Sequence, residues 1–149
     1  MFLVDTNVIS ALAPSKHQTV EQLVDWLDQA SVHLFLSVIT AAEVQSGIAK
    51  AEREGATTKA QRLTEWWQSI EYLYAQKLLP FDLNCAHVAG QILDKARAHQ
   101  AGFEDIAIAA TAKVHGLTIL TRNMRHFEPL GVHAINPFVS LPLIPRLVE

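Results

Sequence analysis

The sequence predicts an α/β fold, in which a mainly parallel sheet of about five strands lies between two layers of helices. Short apolar runs alternate along the chain with longer stretches in which apolar residues recur at helical spacing. Alternation of this kind is typical of βα units, which form parallel sheets covered on both faces. The length of 149 residues, half of them hydrophobic, is expected to give one domain, residues 1–149, with one core.

The first half of the chain opens with an apolar run, Phe2 to Val4, which predicts a buried strand ending at Asp5. Pro14 then ends a short helical pattern, because proline cannot continue a helix interior. The remaining elements follow from apolar spacing, and they are a helix with its apolar face over 20–27, a strand over 33–38 and a helix over about 40–53.

The second half contains an unusually wide apolar helix face, because Trp66 and Trp67 are adjacent within a helical pattern over 63–74. We expect this face to pack in the core or in a dimer rather than to stack on nucleic-acid bases. The later elements are a strand over 78–81, a helix capped by Asp82, a helix over 106–114 that ends at Gly116, a strand over 117–120, a helical turn over 123–127 and a strand over 132–135.

Composition excludes several classes of protein. The 50% hydrophobic and 18% charged content is not that of a disordered chain. The lone Cys85 excludes a disulfide-stapled secreted domain, and no apolar run is long enough to span a membrane. The sequence therefore predicts a soluble, cytoplasmic protein. Its net charge of −3 lacks the overall basic character of many nucleic-acid binders.

Acidic and polar residues follow the predicted strands. Asp5 follows the first strand, Glu43 lies in the helix after the second, Asp105 opens the helix before the fourth, and Asn123 follows the fourth. Because functional groups of parallel sheets gather beyond the carboxyl ends of the strands, we expect these side chains to converge on one crevice.

Each of these residues also has a purely structural interpretation. Asp5 and Asn123 are good N-cap residues, and Thr40-x-x-Glu43 matches a capping box. Glu104 and Asp105 suit the positive end of a helix dipole. The spacing alone leaves these alternatives open.

Several carboxylates in one crevice would repel one another unless protons or cations offset the charge. Mg²⁺ and Mn²⁺ prefer carboxylate and water oxygens, so a hard divalent ion is the expected partner. The seven histidines show no metal-binding spacing, and none of them is expected to be catalytic, although His126, close to the fourth strand, is the best placed of them.

Four segments resemble the motifs of PIN-domain ribonucleases, especially the VapC-type toxins of bacterial toxin–antitoxin pairs, including their FitB-like branch. The segments are FLVDTNVIS at 2–10, LSVITAAEV at 36–44, DIAIAATAK at 105–113 and LTILTRN at 117–123. They occur in order and span about the whole chain. The resemblance implies a PIN-like three-layer α/β/α sandwich.

The resemblance also implies a site, residue by residue. Asp5, Glu43 and Asp105 match the acidic positions that bind Mg²⁺ or Mn²⁺, and Thr6 and Thr121 match hydroxyl positions that support them. The following motif position, often aspartate, is Asn123 here, which favours one tightly bound ion and a second recruited with substrate. Glu104, beside the motif aspartate, is expected to point elsewhere on its helix.

The implied function is that of a type II toxin acting as a metal-dependent endoribonuclease on RNA of the tRNA or rRNA class. The implied partners are a cognate antitoxin, a second copy of the chain and, only through the antitoxin, DNA. The helix of Trp66 and Trp67 is one candidate contact surface, and the apolar tail is another, with Phe138, Leu141, Leu143 and Ile144. Burial in the core is the open alternative for both.

Two rival functions stay open. A phosphatase with Asp5 as phosphate acceptor is disfavoured by Asn7, where a second aspartate is expected. A nuclease-inactive module that only binds a partner is kept open by Asn123. Toward RNA, an ion would cancel much of the site's negative charge, and Lys113, Arg122 and Arg125 are expected to form a positive rim.

Overall fold

A five-stranded parallel sheet forms the centre of the molecule in the computed structural model, which describes residues 1–14 and 20–146. The strands are β1 Phe2–Val4, β2 Leu34–Ser37, β3 Leu78–Leu79, β4 Thr118–Leu120 and β5 Ala134–Ile135. They lie in the order β3-β2-β1-β4-β5, and each adjacent pair is parallel. The helices are α1 Thr6–Ile9, α2 Glu21–Gln29, α3 Val38–Arg53, α4 Thr57–Leu73, α5 Leu83–Lys95, α6 Phe103–His115 and α7 Met124–Phe127. The predicted α/β fold is confirmed.

The side chains of the central strand alternate between two hydrophobic clusters, one on each face of the sheet. Phe2 and Val4 of β1 pack with α2 and α4, whereas Leu3 packs with α5 and α6. Successive side chains of a strand point to opposite faces, so a sheet with helices on both sides buries every residue of β1. This arrangement is the three-layer α/β/α sandwich that the resemblance implies. No helix of the described ranges is long and apolar enough to cross a membrane.

The element boundaries differ from the predicted ones at several ends. The second and third strands are shorter than predicted: β2 covers Leu34–Ser37 instead of 33–38, and β3 covers Leu78–Leu79 instead of 78–81. Pro80 follows β3 directly and has no N–H for the ladder. Helix α4 begins at Thr57, before the apolar stripe, because its first turns are polar and exposed and give no periodic signal.

Two predicted helix ends are confirmed by their cap geometry. Asp82 is the N-cap of α5, and its Oδ1 accepts a hydrogen bond from Cys85 N at 3.0 Å. Gly116 follows α6 with a φ of 65°, a left-handed conformation that glycine adopts without a steric penalty. Both caps lie where sequence chemistry, rather than tertiary packing, fixes the helix end.

The two tryptophans and the apolar tail contribute mainly to the core. Trp67 is buried, and Trp66 is half-buried against the same cluster, which confirms packing over base stacking for the buried member. Phe138 and Ile144 of the tail pack on this cluster as well. Leu143 is almost fully exposed, so of the tail residues named it stays the best candidate for an intermolecular contact.

Ser37 caps α3 from a buried position, and its Oγ accepts a hydrogen bond from Ile39 N at 3.0 Å. We expect Ser37→Ala to lower the free energy of unfolding by about 1 kcal/mol, because an N–H at the helix start loses its acceptor. Thermal melting should show a decrease of about 2–4 °C per kcal/mol. Ser69→Ala, at an exposed position of α4, is the control, and an equal effect of both changes would contradict the capping role.

Candidate functional site

The carboxyl ends of β1, β2 and β4 lie side by side at one edge of the sheet. Val4 pairs with Leu120, and Asp5 N donates a hydrogen bond to Leu120 O at 2.9 Å. Ser37, the last residue of β2, is the N-cap of α3 at the same edge. The parallel register therefore brings together the segments that follow these three strands, as the sequence predicts.

Asp5 is the most buried carboxylate of this edge, with 5% of its surface exposed. Its Oδ1 accepts a hydrogen bond from Thr6 N at 2.9 Å, and its Oδ2 accepts one from Thr121 Oγ1 at 2.8 Å and one from Asn7 Nδ2 at 3.2 Å. Burial raises the pKa of Asp5 above the usual aspartate value, and the hydrogen bonds from Thr121 and Thr6 oppose that shift. Asp5 is also the N-cap of α1, which confirms its structural interpretation.

Glu43 approaches Asp5 through the hydroxyl of Thr6. Thr6 Oγ1 lies 3.1 Å from Glu43 Oε1 and 3.1 Å from Thr40 Oγ1, so it links α1 to α3. Burial raises the pKa of Glu43, and the charges of Asp5 and Asp105 raise it further, whereas the hydrogen bond from Thr6 lowers it. Glu43 is thus electrostatically coupled to both other predicted carboxylates.

The capping-box interpretation of Thr40 and Glu43 is wrong. Helix α3 begins at Val38, two residues before the predicted start, and Ser37 provides its cap. Thr40 is therefore inside the first turn, fully buried, with its hydroxyl directed to Thr6. The side chain of Glu43 therefore has no capping role, and it lies at the edge where the carboxyl ends of the strands meet.

Asp105 lies in the first turn of α6 and is half-buried. Its Oδ2 is 3.0 Å from Nδ1 of His126, which lies on α7. Asp105 is one of the charges that raise the pKa of Asp5, which is consistent with both carboxylates facing the same space. The aspartate thus has a specific partner in addition to its favourable position at the helix N-terminus.

Thr121 connects Asp5 to the loop that carries Asn123. The Thr121 side chain is fully buried, and its Oγ1 donates to Asp5 Oδ2 while it accepts a hydrogen bond from Asn123 N at 3.0 Å. Asn123 occupies the N-cap position of α7, but its side chain makes no capping hydrogen bond within the described residues. The capping interpretation of the Asn123 side chain is wrong, and this amide is exposed at the site.

A cleft of about 590 Å³ lies at this edge, and Asp5, Thr6 and Thr121 are not among the residues that line it. Its lining includes Glu43, Asp105 and Asn123 from the predicted set, together with Glu104 and His126. The expectation that Glu104 points elsewhere is wrong, because Glu104 lines this cleft and its charge also raises the pKa of Glu43. Within residues 1–14 and 20–146, no three acidic, histidine or cysteine side chains meet closely enough to hold an ion in this arrangement.

Asn7 is a residue whose role the sequence does not reveal. Its Nδ2 donates to Asp5 Oδ2, and its Oδ1 accepts a hydrogen bond from Arg122 N at 3.0 Å. Asn7, in α1, therefore connects the loop after β4 to Asp5 at the end of β1. The only available sequence signal is its place two residues after Asp5, within the first motif.

The predicted basic rim is correct in part. Arg125 is exposed and lines a neighbouring hollow with Asp105 and His126. Arg122 is exposed at the loop after β4, where its guanidinium lies 3.8 Å from the ring centroid of Phe138. The prediction is wrong for Lys113, which lies two turns along α6 from Asp105, against the loops at the opposite end of the sheet.

Comparison with known proteins gives a consistent family. Residues 2–130 match the profile of the PIN domain. The chain is 38% identical to toxin FitB of Neisseria gonorrhoeae, over 93% of this chain and 99% of FitB. It is 33% identical to VapC ribonuclease Y4jK of Sinorhizobium fredii, over 93% and 98% of the two chains. Among solved structures, FitAcB from Neisseria gonorrhoeae matches with a TM-score of 0.79 and 39% identity, over 93% and 99% of the chains.

Proposed function

This chain belongs to the PIN-domain family, and from that premise we propose that it is the toxin of a type II toxin–antitoxin pair and acts as a divalent-metal-dependent endoribonuclease. The observation that carries the proposal is the group of Asp5, Glu43 and Asp105 at one edge of the sheet, with the pKa values of Asp5 and Glu43 raised. Relatives named as a toxin and as a ribonuclease support it.

The donor chemistry of the site fits Mg²⁺ or Mn²⁺. Asp5, Glu43 and Asp105 offer carboxylate oxygens, the ligands that hard divalent ions prefer. After burial, the charges of Asp5 and Asp105 raise the pKa of Glu43, and a cation would offset this repulsion. A bound divalent ion supplies an activated water and polarises the scissile phosphate.

The remaining site residues orient the carboxylates. Thr121 and Thr6 each donate a hydrogen bond to a site carboxylate, to Asp5 and to Glu43 respectively, and so restrict which oxygens face the cleft. Asn123 offers a neutral amide where a fourth carboxylate is common in the family, which lowers the negative charge next to an incoming phosphate. This neutral position favours one tightly held ion and a second ion that enters with the RNA.

Recognition of RNA depends on the local field rather than on net charge. The apo cleft is acidic, but a divalent ion would cancel most of the charge of its three carboxylates. Arg122 and Arg125 are exposed cations next to this edge and would contact the phosphates of a tRNA or rRNA substrate. We therefore expect RNA to bind weakly when the metal is chelated.

The family resemblance extends the proposal to partners. We propose that residues 1–149 form a single PIN domain that acts in the cytoplasm as a homodimer and is inhibited by a cognate antitoxin at the cleft. Contact with DNA would occur only through that antitoxin. Leu143, exposed in the tail, is a candidate for one of these contacts.

The direct test is incubation of the purified protein with pooled tRNA and rRNA in Mn²⁺ or in EDTA. Cleavage that requires the ion supports the proposal. Undiminished cleavage in EDTA would contradict metal dependence, and intact RNA under both conditions would favour the partner-binding module that Asn123 keeps open.

The response of stability to Mn²⁺ should depend on pH. An ion needs Asp5 and Glu43 ionised, and their pKa values are raised by burial, so protons compete with the ion at a higher pH than for ordinary carboxylates. At neutral pH and a concentration of 100 times Kd, Mn²⁺ should add about 2.7 kcal/mol, or about 5–10 °C in Tm. This increment should decrease as the pH falls, and because the pKa values of Asp5 and Glu43 are raised, the decrease should begin at a higher pH than for ordinary carboxylates.

Melting curves with Mn²⁺ and with EDTA, recorded from pH 8 to pH 5, measure this increment. In EDTA the contribution of Asp5 and Glu43 to stability changes with pH in the opposite direction. A carboxylate whose pKa is raised in the folded state contributes stability at low pH, and this contribution is lost as the pH rises. An increment in Mn²⁺ that stays constant down to pH 5 would contradict the role of Asp5 and Glu43.

A further inference from the structure

His126 is the partner of one predicted metal-binding carboxylate. Its Nδ1 lies 3.0 Å from Asp105 Oδ2, within hydrogen-bond distance, although 21 positions separate the two residues. A histidine with Nδ1 protonated, neutral or charged, donates at this position, and a carboxylate oxygen accepts. His126 also lines the cleft with Asp105 and Glu43, so it belongs to the site rather than to the outer surface.

The position of His126 is fixed by the segment on which it lies. Phe127, the next residue, is fully buried in the cluster below α6 and anchors α7. His126 N donates to Asn123 O at 3.0 Å, and Asn123 N donates to Thr121 Oγ1. The backbone of His126 is therefore fixed, while 57% of its side chain stays exposed.

A chain of hydrogen bonds consequently runs between two of the predicted ligands. It begins at Asp5, passes through Thr121 and the turn from Asn123 to His126, and ends at Asp105. The loop after β4 thus contacts the carboxylate that follows β1 and the carboxylate of α6. A single short segment can set how these two groups face each other.

We propose that His126 is a positioning residue for the metal site: its Nδ1–H holds Asp105 Oδ2 and would leave Oδ1 available to bind a divalent ion. The inference rests on the proposed function, because it assigns a role toward the divalent ion. A carboxylate that is fixed before the ion arrives loses less rotational freedom on binding, and hydrogen-bonded partners of metal ligands typically contribute about 10–100-fold to metal affinity.

An alternative arrangement, in which His126 competes with the ion for Asp105, predicts the opposite change in metal affinity. If His126 and the ion competed for Asp105, removal of the imidazole would strengthen ion binding instead of weakening it. The burial of Phe127 and the backbone hydrogen bond of His126 favour the first arrangement, because they fix the backbone that carries the imidazole at the edge of the cleft.

Calorimetric titration with Mn²⁺ at constant pH tests the proposal on the apo protein. His126→Ala should weaken Mn²⁺ binding by about 10–100-fold. His126→Asn, whose Nδ2 can donate from nearly the same position as Nδ1, should recover most of the affinity. His115→Ala, an exposed histidine at the other end of α6, is the matched control and should bind Mn²⁺ as the unchanged protein does. Melting curves in EDTA should be alike for all variants.

Cleavage kinetics give a second measurement, independent of the calorimetric titration of Mn²⁺ binding. At limiting Mn²⁺, His126→Ala should lose cleavage activity, and saturating Mn²⁺ should restore most of kcat with little change in KM for RNA. Equal or tighter Mn²⁺ binding by His126→Ala overturns the positioning role while the proposed function stands. Failure of the unchanged protein to bind Mn²⁺ overturns both.

Discussion

Asp5→Asn is expected to abolish RNA cleavage while the fold is retained. The change removes the most buried of the three carboxylates, and a divalent ion contributes several kcal/mol to such a reaction. A loss of about 4 kcal/mol corresponds to a decrease in rate of at least about 10³-fold. Mn²⁺ binding, measured by calorimetry, should be lost in parallel.

Stability in chelator distinguishes this effect from unfolding. The pKa of Asp5 is raised by burial, so its ionised form destabilises the apo protein at neutral pH. Removing the charge offsets the loss of one acceptor, and Tm in EDTA should stay within about 4 °C of the unchanged protein. Asp94→Asn is the control, because this exposed carboxylate pairs with the exposed Arg97. Cleavage by Asp5→Asn at the control rate would refute the assignment of Asp5.

Thr121→Val should impair both stability and activity. Valine has nearly the same shape, but the buried carboxylate of Asp5 loses a donor at 2.8 Å and Asn123 N loses its acceptor. Loss of a hydrogen bond to a charged group costs about 1.5–3 kcal/mol, so Tm in EDTA should fall by about 4–10 °C. Because the hydroxyl orients Asp5 and leads toward His126, Mn²⁺ affinity and cleavage should fall by about 10–100-fold.

Two variants separate the site effect of Thr121 from simple loss of a buried hydroxyl. Thr121→Ser keeps the donor and should restore cleavage and most of the stability. Thr111 is equally buried, but its hydroxyl donates to Ala107 O within α6, so Thr111→Val should leave Mn²⁺ affinity unchanged. If Thr121→Val behaves like Thr111→Val in metal binding, the hydroxyl does not orient the carboxylate.

The sheet and its functional edge could be predicted because the signals are local. A strand buried on both faces appears as an apolar run, and Asp5 ends such a run in β1. Asp82 and Gly116 similarly fix helix ends through their own backbone chemistry. Once the strands are parallel, geometry alone brings the residues after β1, β2 and β4 to one edge.

Other features depend on contacts between distant segments and leave no local pattern. Thr40 and Glu43 have the spacing of a capping box, but the actual cap, Ser37, is chosen by where β2 ends. Lys113 shares a helix with Asp105, yet 1.5 Å of rise per residue carries it about 12 Å away. His126 acquires its partner only because Phe127 is buried and turns α7 toward α6.

The new ends of the cleaved RNA show whether carboxylate-held metal ions promote attack by water on the phosphodiester. The purified protein should be incubated with pooled tRNA and rRNA in Mn²⁺, and the product ends should be sequenced with and without enzymatic phosphorylation. We expect products with 5′-phosphate and 3′-hydroxyl ends that form only when the ion is present. Asp5→Asn should form no such products. Products with 5′-hydroxyl and 2′,3′-cyclic phosphate ends, formed equally in EDTA, would mean that the ribose hydroxyl attacks and would contradict this mechanism.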